Sequence, residues 1–299
     1  MDAEGRIQGL GDARQRSLFD AEAAEVFAAL PPPPPARPAR MPRIVWLYWG
    51  QGWAAAPEIC RLCLDSWRRW NPGHDIRALD AAAAEALLGP PGFDASALPE
   101  RLRANLLRLR LLERFGGVWA DATVFCTAPL DAWLPLLTQR GGCFLFTVRE
   151  AEKRIATWFI AGSPGSPLLA RWAALYGGLL ARHVGTGRRL PFYFVIHRAF
   201  VVLLRLSPDA AADWALCPDI PANGPLALGN LLDIEQRRGA AQDRPLSEEE
   251  ARRASAILAG FPLHKLSWKK AMEEGTPRAR SALALCRRAL SAAPAAQGQ

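Results

Sequence analysis

Residues 44–49 read Ile-Val-Trp-Leu-Tyr-Trp, an apolar run of strand-favouring residues without polar alternation. That pattern predicts a strand covered on both faces, as in a parallel sheet. Over 57–70, Ile59, Leu62, Cys63, Trp67 and Trp70 recur at helical spacing, and Asn71-Pro72-Gly73 carries the turn chemistry that stops the helix. Residues 75–79 add a short second strand. Strand, helix and strand in that order form a βαβ unit and predict an α/β sandwich. After a second small helix and the Gly89-Pro90-Pro91-Gly92 loop, a longer helix is predicted over 99–115, with Pro99 in its first turn and Gly116-Gly117 past its end. Strands follow over 118–126, interrupted at Asp121-Ala122-Thr123, and over 143–148 and 155–160, with helices over 167–183 and 192–206.

The two ends read differently. A helical stretch over 17–30 runs into five prolines, Pro31 to Pro35, which make a stiff extended spacer. This divides the chain into an N-terminal extension, 1–40, a main domain, 41–275, and a C-terminal helix and tail, 276–299. The last helix, rich in Arg and Ala, reads as a packed cap in preference to a basic membrane-facing helix.

Composition narrows the function. Half of the 299 residues are hydrophobic and 22% are charged, which predicts a packed core rather than a disordered chain. Thirty-seven Lys and Arg against 29 Asp and Glu leave a net charge of +8, which favours anionic partners such as phosphates or an acidic membrane surface. Nucleic acid is not expected, because no helix-turn-helix, zinc-finger or RNA-binding signature accompanies the charge. The six cysteines include one CxxC, Cys60 and Cys63, which lies in a helical apolar pattern and reads as core. The first residues show no charged-then-apolar leader, so a reducing, cytoplasmic setting is expected. No apolar run approaches the ~18 residues that a membrane span requires. Peripheral association with the inner face of a membrane is compatible with the charge.

Along the 99–115 helix, about 100° per residue gathers Arg103, Arg110 and Arg114 into one stripe, read as the solvated face. Asn105 and Arg108 fall opposite, among Leu102, Leu109, Leu111 and Leu112, and so point toward the interior or a cleft. An unpaired buried guanidinium costs several kcal/mol, so Arg108 is expected to meet an acidic side chain or a ligand phosphate. Downstream, Phe115-Gly116-Gly117-Val118-Trp119-Ala120-Asp121-Ala122-Thr123 turns tightly into an apolar strand that delivers Asp121 to its carboxyl end. Ligands of open α/β sheets bind at such ends. A guanidinium and a carboxylate converging on one pocket, sized for a pyrophosphate, is the central expectation.

Three blocks of this sequence resemble the bacterial capsular polysaccharide synthesis proteins and the wider glycosyltransferases that carry a DXD signature. The first is residues 41–50, Met-Pro-Arg-Ile-Val-Trp-Leu-Tyr-Trp-Gly, with Cys63-Leu64-Asp65-Ser66-Trp67 and Asn71-Pro72-Gly73. The second runs from Asn105-Leu106-Leu107-Arg108 through Gly117 and Asp121-Ala122-Thr123 to Pro129-Leu130-Asp131-Ala132-Trp133-Leu134, and the third is Phe261-Pro262-Leu263-His264-Lys265-Leu266-Ser267-Trp268-Lys269. The resemblance implies a GT-A-like nucleotide-diphospho-sugar transferase sandwich, with a mixed, mostly parallel central sheet and helical additions, over residues 41–275.

It further implies that Trp46, Tyr48 and Trp49 lie beside the nucleotide base, and Asn105 and Arg108 beside the ribose, sugar or diphosphate, with Gly117 and Thr123 completing the donor site. Asp121 matches the first acid of the signature, near the ribose and a divalent metal, Mn2+ or Mg2+. Thr123 stands in the place of the second acid, and Asn105 where relatives often have Asp. His264 and Trp268 match a C-terminal loop that closes over the donor diphosphate, with Lys265, Lys269 and Lys270 adding positive charge. Asp121, Arg108 and His264 are thus the expected catalytic residues.

Sugar transfer requires the departing diphosphate's charge to be neutralised. Asp131 is a further candidate base, although its Pro-Leu-Asp-Ala-Trp setting reads more as a helix cap. Trp158, Tyr193 and His197 are the acceptor candidates, because aromatic faces stack on sugar rings and a histidine bonds hydroxyls. Trp53, in the loop before the first helix, reads as a lid residue. The expected activity is sugar transfer from a nucleotide-sugar onto a saccharide or lipid-linked glycan, in the setting of a polysaccharide assembly machinery. The rival readings are a catalytically weak nucleotide-sugar or glycan-binding assembly factor, motivated by Thr123 and Asn105, and a phosphotransferase on the same fold.

Overall fold

The computed structural model describes residues 10–32, 40–232, 243–267 and 275–292. The chain is an α/β protein with a mixed, mostly parallel central sheet. Its elements are α1 (Ala13–Ala28), β1 (Ile44–Tyr48), α2 (Glu58–Trp70), β2 (Asp75–Leu79), α3 (Ala81–Leu88), α4 (Glu100–Phe115), β3 (Gly117–Ala120), β4 (Val124–Cys126), α5 (Leu134–Thr138), β5 (Cys143–Thr147), β6 (Ile155–Gly162), α6 (Pro167–Thr186), α7 (Val195–Leu206), α8 (Pro208–Ala215), α9 (Asn223–Leu232), α10 (Glu248–Gly260), β7 (Leu263–Lys265) and α11 (Pro277–Ala292). The five-stranded sheet has the order β2-β1-β3-β6-β5, and β4 and β7 form a separate two-stranded sheet.

The chain forms two compact units. The first comprises Met1–Pro42, Ala82–Val118 and Leu137–Ile220. Here α4 packs on α6, and α6 on α1, α7 and α8. Strand β6 is buried along its whole length and pairs antiparallel with β5. Helix α1 begins four residues before the predicted start, because Asp12 and Gln15 form a reciprocal capping box. Buried Arg198 on α7 ties α1 down through both oxygens of Asp20, at 2.7 and 2.5 Å, and also pairs with Glu152.

The second unit comprises Arg43–Ala81, Trp119–Leu136 and Pro221–Gln299. Strands β1 and β2 are parallel, with Ile44 opposite Asp75 and Tyr48 opposite Leu79, as a βαβ unit requires. Its core gathers Ile59, Cys60 and Cys63 of α2 with Leu228, Leu258, Ala282 and Cys286. Both CxxC thiols are therefore core groups, and α11 packs on α2 with one face buried. The arginine stripe of α4, read as solvated, is only partly so. Arg110 donates to the carbonyls of Leu88, Gly89 and Pro90, and Arg114 to that of Leu87, so they clamp the loop after α3.

Candidate functional site

In the second unit the site is built outward from the carboxyl end of β3. The strand residues Val118, Trp119 and Ala120 are buried, so the chain can only turn where apolar residues give out, at Asp121. The Val124 N–H closes that turn on the Asp121 carbonyl at 2.9 Å. The Asp121 carboxylate accepts the Trp119 indole N–H at 2.9 Å.

Beyond the turn, β4 leaves the central sheet and pairs antiparallel with β7, in the register Val124 opposite Lys265 and Phe125 opposite His264. Helix α2 braces this strand from behind. The Trp67 indole donates to the Val124 carbonyl at 2.8 Å, and Ser66 Oγ accepts the Cys126 N–H at 2.9 Å. Asn71 Oδ1 accepts the Leu130 N–H at 2.7 Å. The Ser-Trp and Asn-Pro-Gly segments thus hold β4 in place, a structural role that their sequence did not announce.

Register then decides which side chain reaches Thr123. The Leu266 N–H donates to the Thr123 carbonyl at 2.8 Å, and the Lys265 ammonium donates to the Thr123 hydroxyl at 2.7 Å. Sequence reasoning gave Lys265 only a share in a diffuse positive charge, because nothing local links positions 123 and 265.

His264 lies within β7 rather than on a loop, and is 0% exposed. Its Nε2 is 3.3 Å from Thr127 Oγ1, and burial pushes its pKa down to about 4. It is therefore neutral near pH 7 and buried within the β4–β7 pair. Trp268, Lys269 and Lys270 lie outside the described residues.

The three aromatic residues of β1 separate. Trp46 is wholly buried beneath the Arg77 guanidinium, 5.2 Å from the ring centre, so it is a core residue and no platform for a base. Tyr48 and Trp49, at the strand's carboxyl end, are only partly buried. Trp53, read as a lid residue, is tethered by its indole N–H to the Leu79 carbonyl at 3.1 Å. Asp131 is held by Arg43 at 2.9 Å, with His74 at 3.9 Å, so its carboxylate is engaged in an ion pair at the surface.

The first unit holds the remaining predicted residues. Gly116 and Gly117 both have positive φ, +66° and +93°, which makes the tight entry into β3 a glycine-only turn. Asn105 and Arg108 are each 6% exposed, as the helical bookkeeping predicts. Asn105 donates to the Tyr176 hydroxyl at 3.5 Å, and Arg108 donates to the Thr157 carbonyl. His197 Nε2 is 3.5 Å from Thr157 Oγ1. Burial, then the positive charges of Arg108, Lys153 and Arg101, push the His197 pKa down to about 3. Trp158 is stacked on Phe146 with centroids 5.2 Å apart, so its face is already used. Tyr193 is 55% exposed and carries the Arg101 guanidinium 4.0 Å from its ring centre. Of the three acceptor candidates, Tyr193 alone is exposed.

The depressed histidines make a prediction about stability. Both folded pKa values lie below the ordinary 6.5, so below that pH the unfolded chain binds more protons than the folded one. Their contribution is full above about pH 6.5 and is lost as pH falls toward 4 and 3. Each histidine adds a slope of up to roughly 1.4 kcal/mol per pH unit in that window. The urea midpoint of the wild type is expected to fall steeply between pH 7 and pH 5, and that of His264→Gln less so. Parallel curves for the two proteins would remove His264 from the linkage.

The resemblance implies a divalent metal at Asp121, and the donor set can be tested against it. Among the described residues no group of three or more His, Cys, Asp or Glu side chains is placed to hold a metal ion. Asp121 already receives an indole N–H, and the Thr123 hydroxyl is engaged by an ammonium. Mg2+ and Mn2+ are commonly held by one or two carboxylates together with substrate phosphates and water, and are repelled by a fixed cation beside a ligand. The second position of the motif thus gives a divalent ion a neighbouring ammonium in place of a carboxylate.

The chain is an α/β protein in which a buried strand ends in a polar turn, and open α/β sheets as a class bind their ligands at such ends. Within that class, the chain belongs to the family described as "Capsular polysaccharide synthesis protein", whose profile matches residues 32–281. It is 25% identical over 159 residues to "O-glycosyltransferase braB" of Annulohypoxylon truncatum, a match covering 46% of this chain and 38% of that relative. The chain therefore spans well under half the length of that curated relative. A solved structure titled "PaToxG Glycosyltransferase" aligns over 92% of this chain and 95% of its own at 13% identity, with a TM-score of 0.39, too slight a likeness to argue from. Among the described residues no helix is long and apolar enough to cross a membrane.

Proposed function

We propose that the protein is a glycosyltransferase of the GT-A type, which moves a sugar from a nucleotide-diphospho-sugar onto a saccharide or lipid-linked glycan during capsular or surface polysaccharide synthesis. The observation that carries this reading is the turn at the end of β3, where Asp121 and Thr123 stand at the two positions of the acidic signature in a chain of the capsular synthesis family. In the transfer, Asp121 accepts hydrogen bonds from donor hydroxyls, and Tyr48 and Trp49 flank the base. His264 acts as a positioning residue, filling the β4–β7 pair so that its neighbour Lys265 meets Thr123. Tyr193 is the acceptor's stacking surface. The setting is cytoplasmic, at the inner face of the membrane where a lipid-linked acceptor would be presented.

The test is turnover of the intact chain with UDP-, GDP-, ADP-, CDP- and dTDP-sugars, with and without Mn2+, against oligosaccharide and lipid-linked acceptors. Release of free nucleotide matched by a glycosylated product supports the reading. Stabilisation by nucleotide without turnover on any acceptor would replace it with the assembly-factor reading. A phosphorylated product would replace it with phosphotransfer.

A further inference from the structure

Lys265 is the charged group that the β4–β7 pairing brings to the Asp121 turn. Its ammonium donates to Thr123 Oγ1 at 2.7 Å and to the Leu266 carbonyl at 2.8 Å, which uses two of its three N–H groups. Among the described residues no carboxylate pairs with it. Its field is felt at Cys60 and Cys63, whose thiols it stabilises as anions against a much larger effect of burial. Among the described residues a third N–H and an unneutralised charge thus remain beside the turn.

We propose that the Lys265 ammonium supplies, at this turn, the fixed positive charge that a divalent metal supplies beside a two-acid motif, so that a nucleoside diphosphate leaves on Lys265 without a protein-held metal ion. This rests on the nucleotide-diphospho-sugar reading given above. In the reaction, the bond between the anomeric carbon and the diphosphate oxygen breaks with its electron pair on that oxygen. The acceptor hydroxyl oxygen forms the new bond to the anomeric carbon, and its proton leaves with the departing diphosphate. Lys265 keeps all its protons and donates its free N–H to a phosphate oxygen, as lysines bind phosphate elsewhere.

The same geometry accounts for Thr123. A carboxylate at that position, 2.7 Å from the ammonium, would pair with it and cancel its charge. A hydroxyl accepts the hydrogen bond, orients the ammonium and leaves the charge for the ligand. The absent second acid is then a requirement of a lysine-based site rather than a mark of lost activity.

The experiment is calorimetric titration of UDP, GDP, ADP, CDP and dTDP into the intact chain, in EDTA and in Mn2+, for the wild type, Lys265→Gln, Lys265→Arg and Thr123→Asp, with a thermal melt of each. The wild type is expected to bind one nucleotide with a Kd that agrees within about twofold between the two buffers. Lys265→Gln should weaken it at least about tenfold in EDTA, Lys265→Arg should recover most of that loss, and Thr123→Asp should weaken it comparably. Wild-type binding that needs Mn2+, or Lys265→Gln binding as tightly as the wild type, overturns the proposal while the donor reading stands. If Lys265→Gln does not fold, Thr123→Asp decides, and wild-type affinity in EDTA for that variant overturns the proposal. Failure of the wild type to bind any of the five in either buffer overturns the donor reading and this proposal with it.

Discussion

Asp121→Asn is expected to lower kcat/KM for sugar transfer by about 100-fold while leaving the melting temperature within a few degrees of the wild type. Asparagine keeps an Oδ1 that can accept the Trp119 indole N–H, so the internal contact at 2.9 Å survives the change. What is lost is the negative charge. Hydrogen bonds to a charged group are worth about 1.5–3 kcal/mol each, and two donor hydroxyls meeting a neutral amide lose about 100-fold between them. Asp121→Ala removes the acceptor as well and should be at least as inactive, with a further small loss of stability. Steady-state kinetics of both variants on the best donor, with near-ultraviolet circular dichroism as the check on folding, measure this. Wild-type rates for Asp121→Asn would take the carboxylate out of the mechanism.

Much of the frame was readable in the chain because it is written in local periodicity. The apolar run of β1, the helical spacing in α2 and the glycine pair after α4 each signal an element within a dozen residues, and the structure has strands and helices there. Burial of Asn105 and Arg108 followed from the same angular argument. The start of α1 is also written locally, in the Asp12 to Gln15 spacing of a capping box, ahead of the apolar pattern that begins at Leu18.

What stayed hidden is set by contacts distant in sequence. Strand β4 has three residues, too few for any period, and its partner β7 lies some 140 positions later. Nothing in a window around Thr123 shows Lys265, and nothing around Phe261-Pro262-Leu263-His264 shows that the histidine will be sealed against Thr127. Trp46 misled for the opposite reason. An aromatic residue in a family motif invites a ligand, but in a strand buried on both faces it has nowhere to point except the core.

The glycine pair itself carries the largest expected stability effect. Gly116 has φ +66° and ψ −159°, a region of backbone space occupied by glycine almost alone. A Cβ placed there would lie 2.5 Å from Pro164 Cδ, 2.6 Å from Pro164 N and 2.9 Å from the Gly162 carbonyl oxygen. Two of these neighbours are backbone atoms, one at the end of β6 and one just beyond it, so they cannot swing away as a flexible side chain would. Gly116→Ala therefore combines backbone strain of about 1–3 kcal/mol with overpacking of about 1–3 kcal/mol, and Gly116→Val adds a branched side chain to the same clash. A loss of roughly 4 kcal/mol corresponds to a fall of about 10 °C in Tm for a chain of this size. Gly185→Ala is the matching control, since that glycine sits within α6 and a Cβ there meets nothing within 4 Å. It should stabilise the protein by about 0.5–1 kcal/mol. Urea unfolding of the three variants separates these effects, and a Gly116→Ala midpoint equal to the wild type would show that the entry into β3 tolerates a side chain.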